Sequence, residues 1–207
     1  QLQALVQKLN QTFVFEPVPI QVKTCDRRQP FERAGSVTLC LQYARQLMQT
    51  FQDKTQASDA LAYSMFLEMA QLLQSQWGLQ SSDPSTMLDE LTTVLMLTFR
   101  LDANVRAYSQ TLINQPTLTA SLADTFNDPL HPLTVERAQR VLKWATDPTL
   151  VHQWQAQLVP HMQTKMLQHL KDHPQPWSDQ SLMEKELSSR VQSPPVTPPT
   201  KKRETRA

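Results

Sequence analysis

The chain has 207 residues, with 20 Lys and Arg against 19 Asp and Glu, and a net charge of +1, so it carries no global bias toward nucleic acid or an anionic membrane surface. Hydrophobic residues make up 40%, with two glycines and fifteen prolines, a balance that fits one helical, proline-punctuated domain plus a tail. No apolar run approaches the ~18 residues of a membrane span; the longest candidate, Val94 to Phe99, reads as core, and a start at Gln1 with no signal-peptide pattern fits a processed exported protein or a trimmed chain.

Leu2, Leu5, Val6, Leu9 and Phe13 recur at helical spacing and predict an opening amphipathic helix. Val18, Ile20 and Val22 then alternate with Pro19, Gln21 and Lys23, as in a short edge strand. A polar loop from Asp26 to Gly35 leads to a second alternation, Val37, Leu39, Leu41. The unit reads as a small β-hairpin with Cys25 and Cys40 near its inner ends. A bridge between them suits an oxidising compartment and would contribute ~3 kcal/mol through loop closure. Two buried free thiols are the other reading.

The period turns helical from Tyr43 to about Lys54. Ser58 and Asp59 are read as the cap of a long helix, Ala60 to Trp77, ended by Gly78. Asp83 before Pro84 opens the next helix, which carries Met87, Leu88, Leu91, Val94, Leu95 and Leu97 and should pack antiparallel to the first. Helices follow over Asn104 to Ile113, Pro116 to Phe126 and Thr134 to Trp144. Another runs from Pro148 toward Leu170 with a kink at Pro160. Ser181-Leu182-Met183-Glu184 reads as a capping box for a terminal helix. The expected division is a domain over 1–175, that helix within 176–192, and a disordered Pro-rich tail over 193–207. The basic end of the tail, Lys201-Lys202-Arg203-Glu204-Thr205-Arg206, reads as a solvated terminus.

One helical stretch has more to say chemically: Met65-Phe66-Leu67-Glu68-Met69-Ala70-Gln71. Two imidazoles at i and i+4 on a helix can grip one Zn²⁺, and a glutamate beside the first can serve the metal-bound water as general base. Here those two positions hold Leu67 and Gln71. Leucine has no lone pair, and a neutral amide is a poor Zn²⁺ ligand. Periodicity alone makes this an ordinary core helix.

The wider context changes the weighting. Pro17-Val18-Pro19-Ile20-Gln21-Val22 precedes Cys25, and Phe31 lies in the loop before Val37-Thr38-Leu39-Cys40-Leu41-Gln42. After Leu67-Glu68-Met69-Ala70-Gln71 come Asp89-Glu90, Asp128-Pro129-Leu130-His131-Pro132-Leu133, Glu136-Arg137-Ala138 and Trp154 to His161. In order and spacing, over about residues 2 to 165, this resembles the DUF4344 family of zinc metallopeptidase-like proteins, related to zincins. The resemblance implies an α+β, mostly α, zincin-like helical domain. It also implies a general-base position kept at Glu68 and vestigial ligand positions at Leu67, Gln71 and Ser85. With those ligands replaced, zinc is expected to be lost, leaving no cofactor.

Other constellations are weaker. His169 and His173 have i, i+4 spacing, but Pro174 follows, and they read as a solvated helix end. His131 and His161 fall in segments that the resemblance marks as structural. No G-x-S-x-G, P-loop or dinucleotide fingerprint occurs, and neither cysteine has a nearby base.

The function expected from this reading is a catalytically inactive metallopeptidase-like protein, periplasmic or secreted, that binds a partner protein or peptide and no nucleic acid. Its groove would involve Glu68, Gln71, Asp89 and Leu39, with the strand around Val37 to Leu41 as the wall for β-augmentation. The alternatives are an active metallohydrolase with non-standard ligands, drawing His131 or His161 toward Glu68, and a purely structural envelope protein whose old site is filled by packing. The sequence assigns neither the partner's identity nor an oligomeric state.

Overall fold

Alternation fixes which faces of a strand are apolar, but not which way its neighbour runs. The sheet turns on that distinction. In the computed structural model, which describes residues 2–16, 20–25, 30–33, 37–126, 128, 130–173 and 179–192, the strands are β1 (Ile20–Lys23), β2 (Phe31–Arg33) and β3 (Val37–Cys40), in spatial order β1-β3-β2. β1 runs parallel to β3, with Val22 opposite Leu39. β2 runs antiparallel to β3, with Phe31 opposite Leu39. The hairpin therefore joins β2 to β3, and the two alternating segments expected to form it lie side by side in the same direction. β3 is the central strand and is buried along its whole length. Because side chains opposite one another share a face, Val22, Leu39 and Phe31 form a row across the sheet.

Cys25 and Cys40 form the expected disulfide, with S–S 2.02 Å and Cα–Cα 5.4 Å. The Gln42 side chain seals the same corner: its Nε2 donates to the Cys25 carbonyl at 2.6 Å, and its Oε1 accepts from the Cys25 amide at 3.2 Å.

The rest is helical: α1 (Leu2–Thr12), α2 (Leu41–Thr50), α3 (Lys54–Trp77), α4 (Pro84–Thr98), α5 (Asp102–Asn114), α6 (Pro116–Thr125), α7 (Val135–Thr146), α8 (Thr149–Leu158), α9 (Thr164–Asp172) and α10 (Gln180–Gln192). The fold is α+β, mostly α, and α3 is its axis. Every residue from Tyr63 to Ala70 is buried, which a helix achieves only when it is covered all round. α2, α4 and α5 pack around it. The helix starts earlier than its apolar pattern: Asp53 is the N-cap, accepting from the Thr55 amide at 2.7 Å. Asp59, expected as a cap, lies inside the helix, 4% exposed, and accepts from Asn104 Nδ2 at 2.7 Å.

Gly78 ends α3 at φ +65°, a left-handed conformation that glycine adopts without a Cβ clash. α4 then returns against α3, with the Phe66 and Phe99 rings 5.7 Å apart. Its cap is the expected Asp83–Pro84 pair, and the Asp83 carboxylate accepts from the Thr86 amide, the Thr86 hydroxyl and the Ser85 hydroxyl.

Pro160 breaks the last long helix rather than kinking it. α8 stops at Leu158, a 3-10 turn covers Val159–His161, and α9 begins at Thr164. The break receives the end of α1. Val14 N donates to the His161 carbonyl at 2.6 Å, and Gln163 N donates to the Thr12 carbonyl at 2.8 Å. The His161 ring stacks on Trp77 at 4.4 Å, and Trp77 Nε1 donates to the Val14 carbonyl at 3.2 Å. α10 closes over this region through the buried Met183 and through Arg190, which donates to the Met162 and Pro160 carbonyls. Its first turn is capped by Asp179, which accepts from the Ser181 amide at 3.1 Å, two residues before the expected capping box. The expected tail, 193–207, lies outside the described residues. Among the described residues, no helix is long and apolar enough to cross a membrane.

Candidate functional site

The stretch Met65 to Gln71 sits in the middle of α3, where the helix has almost no solvent face. Leu67 is fully buried and Glu68 is 1% exposed, whereas Gln71 is half-buried. A carboxylate buried this deeply requires polar company. It faces His131, also 1% exposed, whose Nε2 lies 3.7 Å from Glu68 Oε1. On the other side of the ring, Nδ1 lies 3.5 Å from Asp128 Oδ1. Neither contact has hydrogen-bond geometry. The ring is walled by Phe31 at 5.4 Å and Tyr43 at 6.1 Å. Beside it, the Tyr43 and Ser64 hydroxyls meet at 2.7 Å, and burial pushes the Tyr43 phenol well up.

A second buried network holds the segment that carries His131. Asp89, fully buried on α4, accepts from Arg137 Nε at 2.8 Å and Nη2 at 2.7 Å, and from the Tyr63 hydroxyl at 3.2 Å. Arg137 Nη1 donates onward to the Leu130 carbonyl at 3.0 Å. Burial acts to lower the Arg137 guanidinium, but the Asp89 carboxylate outweighs it and keeps the value raised. Burial raises the Tyr63 phenol, and the Asp89 charge adds to that. The chain Asp89–Arg137–Leu130 thus sets His131 against Glu68.

The zinc implied by the family resemblance does not fit these side chains. Leu67 offers no donor. Ser85 is exposed at the start of α4, its hydroxyl donated to Asp83, and Asp89 is engaged by Arg137 through both oxygens. Glu68 and Asp128 lie at opposite nitrogens of one imidazole, so the three groups cannot converge on a single ion. Among the described residues, no three His, Cys, Asp or Glu side chains form a metal-holding group. Of the remaining histidines, His161 stacks on Trp77 and burial lowers its value, with Glu186 opposing. His169 and His173 stack on each other at 4.8 Å at the end of α9.

The expected groove of Glu68, Gln71, Asp89 and Leu39 is not assembled. Glu68 and Asp89 are interior, and β3 cannot be an open wall because both of its sides are paired. Gln71 is half-buried, and Leu39 lines an opening. That opening is a wedge of about 530 Å³ between the sheet and α3. The row across the sheet explains it: Phe31 is 2% exposed and Leu39 6%, but Val22 is 50% exposed. Phe31 is covered by the Tyr43 and His131 rings, whereas Val22 stands at the opening. Ala62, Met65 and Phe66 of α3 line it, together with Phe99, Leu101, and Ala4 and Lys8 of α1. Sequence reading missed this site because its walls come from four separate elements, α1, β1, β3 and α3, and from the connection between α4 and α5. The one available signal was the apolar Val22 on a strand marked as an edge.

No family model matches the chain, and no curated protein or solved structure is significantly similar to it.

Proposed function

We propose that this protein is a catalytically inactive, metallopeptidase-like binding protein of the periplasm or extracellular space, which holds an apolar segment of a partner polypeptide in the wedge beside β1. The wedge carries the proposal. It is an apolar cavity of about 530 Å³ beside the sheet, which can receive apolar side chains of a bound polypeptide. Its volume lies within the ~300–1,000 Å³ typical of ligand sites. The Cys25–Cys40 disulfide supports an oxidising compartment. Loss of catalysis is supported by the burial of Glu68 and by the absence of converging donors around it among the described residues. The zincin ancestry rests on the order and spacing of the sequence motifs.

Isotope-labelled protein titrated with an apolar peptide tests this reading. The expected result is shifts of the Val22, Leu39, Met65 and Phe66 amides, unchanged by EDTA, with the peptide recovered uncut by mass spectrometry. Shifts centred on Glu68 and Gln71, or cleavage that stops on chelation, would refute it.

A further inference from the structure

Two imidazoles meet at the end of α9. His169 lies in its last turn and His173 is its C-cap. Their rings are 4.8 Å apart, with planes 26° from parallel. Both side chains are exposed, so the pair fills no part of the core. His173 Nδ1 donates to the His169 carbonyl at 3.3 Å. In the neutral ring that bond leaves the lone pair on Nε2, the arrangement found in histidines that bind metals. Among the described residues, no hydrogen bond or ion pair engages the His169 ring. The neighbouring charges are already committed. Asp172 accepts from Gln168 Nε2 at 3.0 and 3.2 Å, and the Lys171 ammonium lies 3.6 Å from Glu184.

We infer that His169 and His173 form a two-imidazole clip for one divalent transition-metal ion. The inference stands apart from the wedge and from the vestigial positions around Glu68. Residues at i and i+4 on a helix share a face, and neutral imidazole suits Cu²⁺, Ni²⁺ and Zn²⁺. Turning two exposed rings until their free nitrogens converge displaces no core side chain. The last carbonyls of α9 add the negative end of a helix, which favours a cation. Two protein ligands fall short of the full set that closes a structural zinc site. The ion is therefore exchangeable, with its remaining positions open to water or to a further ligand, and its removal leaves the fold intact. Of these ions, Cu²⁺ binds nitrogen sites most tightly, which makes it the probe.

The test strips the intact chain with EDTA, removes the chelator and titrates CuCl₂ at neutral pH, with binding read by calorimetry. One ion per chain is expected. Losing an outer partner of a metal-bound histidine already costs roughly 10–100-fold in affinity. His169→Ala and His173→Ala should therefore each weaken binding by at least about tenfold, with urea midpoints like the parent's. Sub-stoichiometric Cu²⁺ should broaden the His169 and His173 ring resonances first and leave those of His131 and His161 sharp. His152→Ala should bind as the parent does. Two ions per chain, one lost in each of the first two variants, would show two independent imidazoles and overturn the clip. Binding unchanged in both of those variants, broadening centred on another histidine, or no binding at all would overturn it as well.

Discussion

Glu68 and His131 are adjacent in the fold at 3.7 Å, each 1% exposed, although 63 positions separate them in the chain. The position that would serve a metallopeptidase as general base here touches an imidazole inside the core. The pair is read as structural, and it should behave as a coupled unit. Glu68→Leu and His131→Phe are each expected to destabilise the chain by about 2–4 kcal/mol, because each strands a buried polar partner. The double variant should cost clearly less than the sum of the two. Urea unfolding of the four proteins checks this, and strict additivity would argue that the two residues do not sense each other.

Asp89 and Arg137 make the stronger pair. Asp89→Ala leaves a guanidinium buried without its counter-charge and should cost about 3–5 kcal/mol. Arg137→Met should also release the Leu130 carbonyl, and with it the segment that presents His131. A shift of the His131 ring resonances in Arg137→Met, at a temperature where the variant remains folded, is the expected signature.

The Cys25–Cys40 bridge closes a loop with a separation of 15 residues, for which chain entropy gives about 3 kcal/mol. Cys25→Ser with Cys40→Ser should lower the urea midpoint accordingly. Binding in the wedge should weaken too, because Val22 lies on the strand that the bridge ties to β3. Reduced affinity without reduced stability would mean that the bridge shapes the wedge but does not hold the sheet.

The Asp83 carboxylate is lowered from 3.8 to about 2, chiefly by the Thr86 hydroxyl, then by the Thr86 amide and the Ser85 hydroxyl. The folded chain therefore releases this proton more readily than the unfolded chain. The stabilisation is complete above 3.8 and is lost as pH falls through about 2. Asp83→Asn keeps a capping oxygen but no charge. The melting-temperature difference between it and the parent should be constant near neutral pH and shrink to nothing at the acid end of that window.

Local physics wrote most of the helices plainly into the sequence. Asp83–Pro84 and Gly78 mark α4 and the end of α3 because capping and left-handed backbone depend on near neighbours. The start of α3 escaped notice because Lys54 to Gln56 carry no apolar signal, so the pattern suggested a cap at Asp59 that the chain does not use. β2 is a three-residue strand, too short for alternation to register. The parallel direction of β1 and β3 was hidden because strand polarity depends on the path of the connection, not on side-chain pattern. The candidate site was legible only where one element carried it. Leu39 was found, but the cavity that it shares with Val22 and α3 is a property of how separate elements meet. The contact between residues 68 and 131 is likewise tertiary. The motif resemblance drew attention to Glu68, and packing placed the opening one helix face away.

The clamp on α1 extends the argument beyond the sheet. Val14 and Thr12 are held by backbone bonds to His161 and Gln163, and Trp77 joins them from α3. α1 supplies Ala4 and Lys8 to the wedge, so one wall of the opening is anchored by a segment about 150 positions downstream. Changes around Pro160 or Arg190 would therefore be felt as altered affinity, and the described residues from 159 to 192 act as a buttress for a pocket whose described lining they do not join.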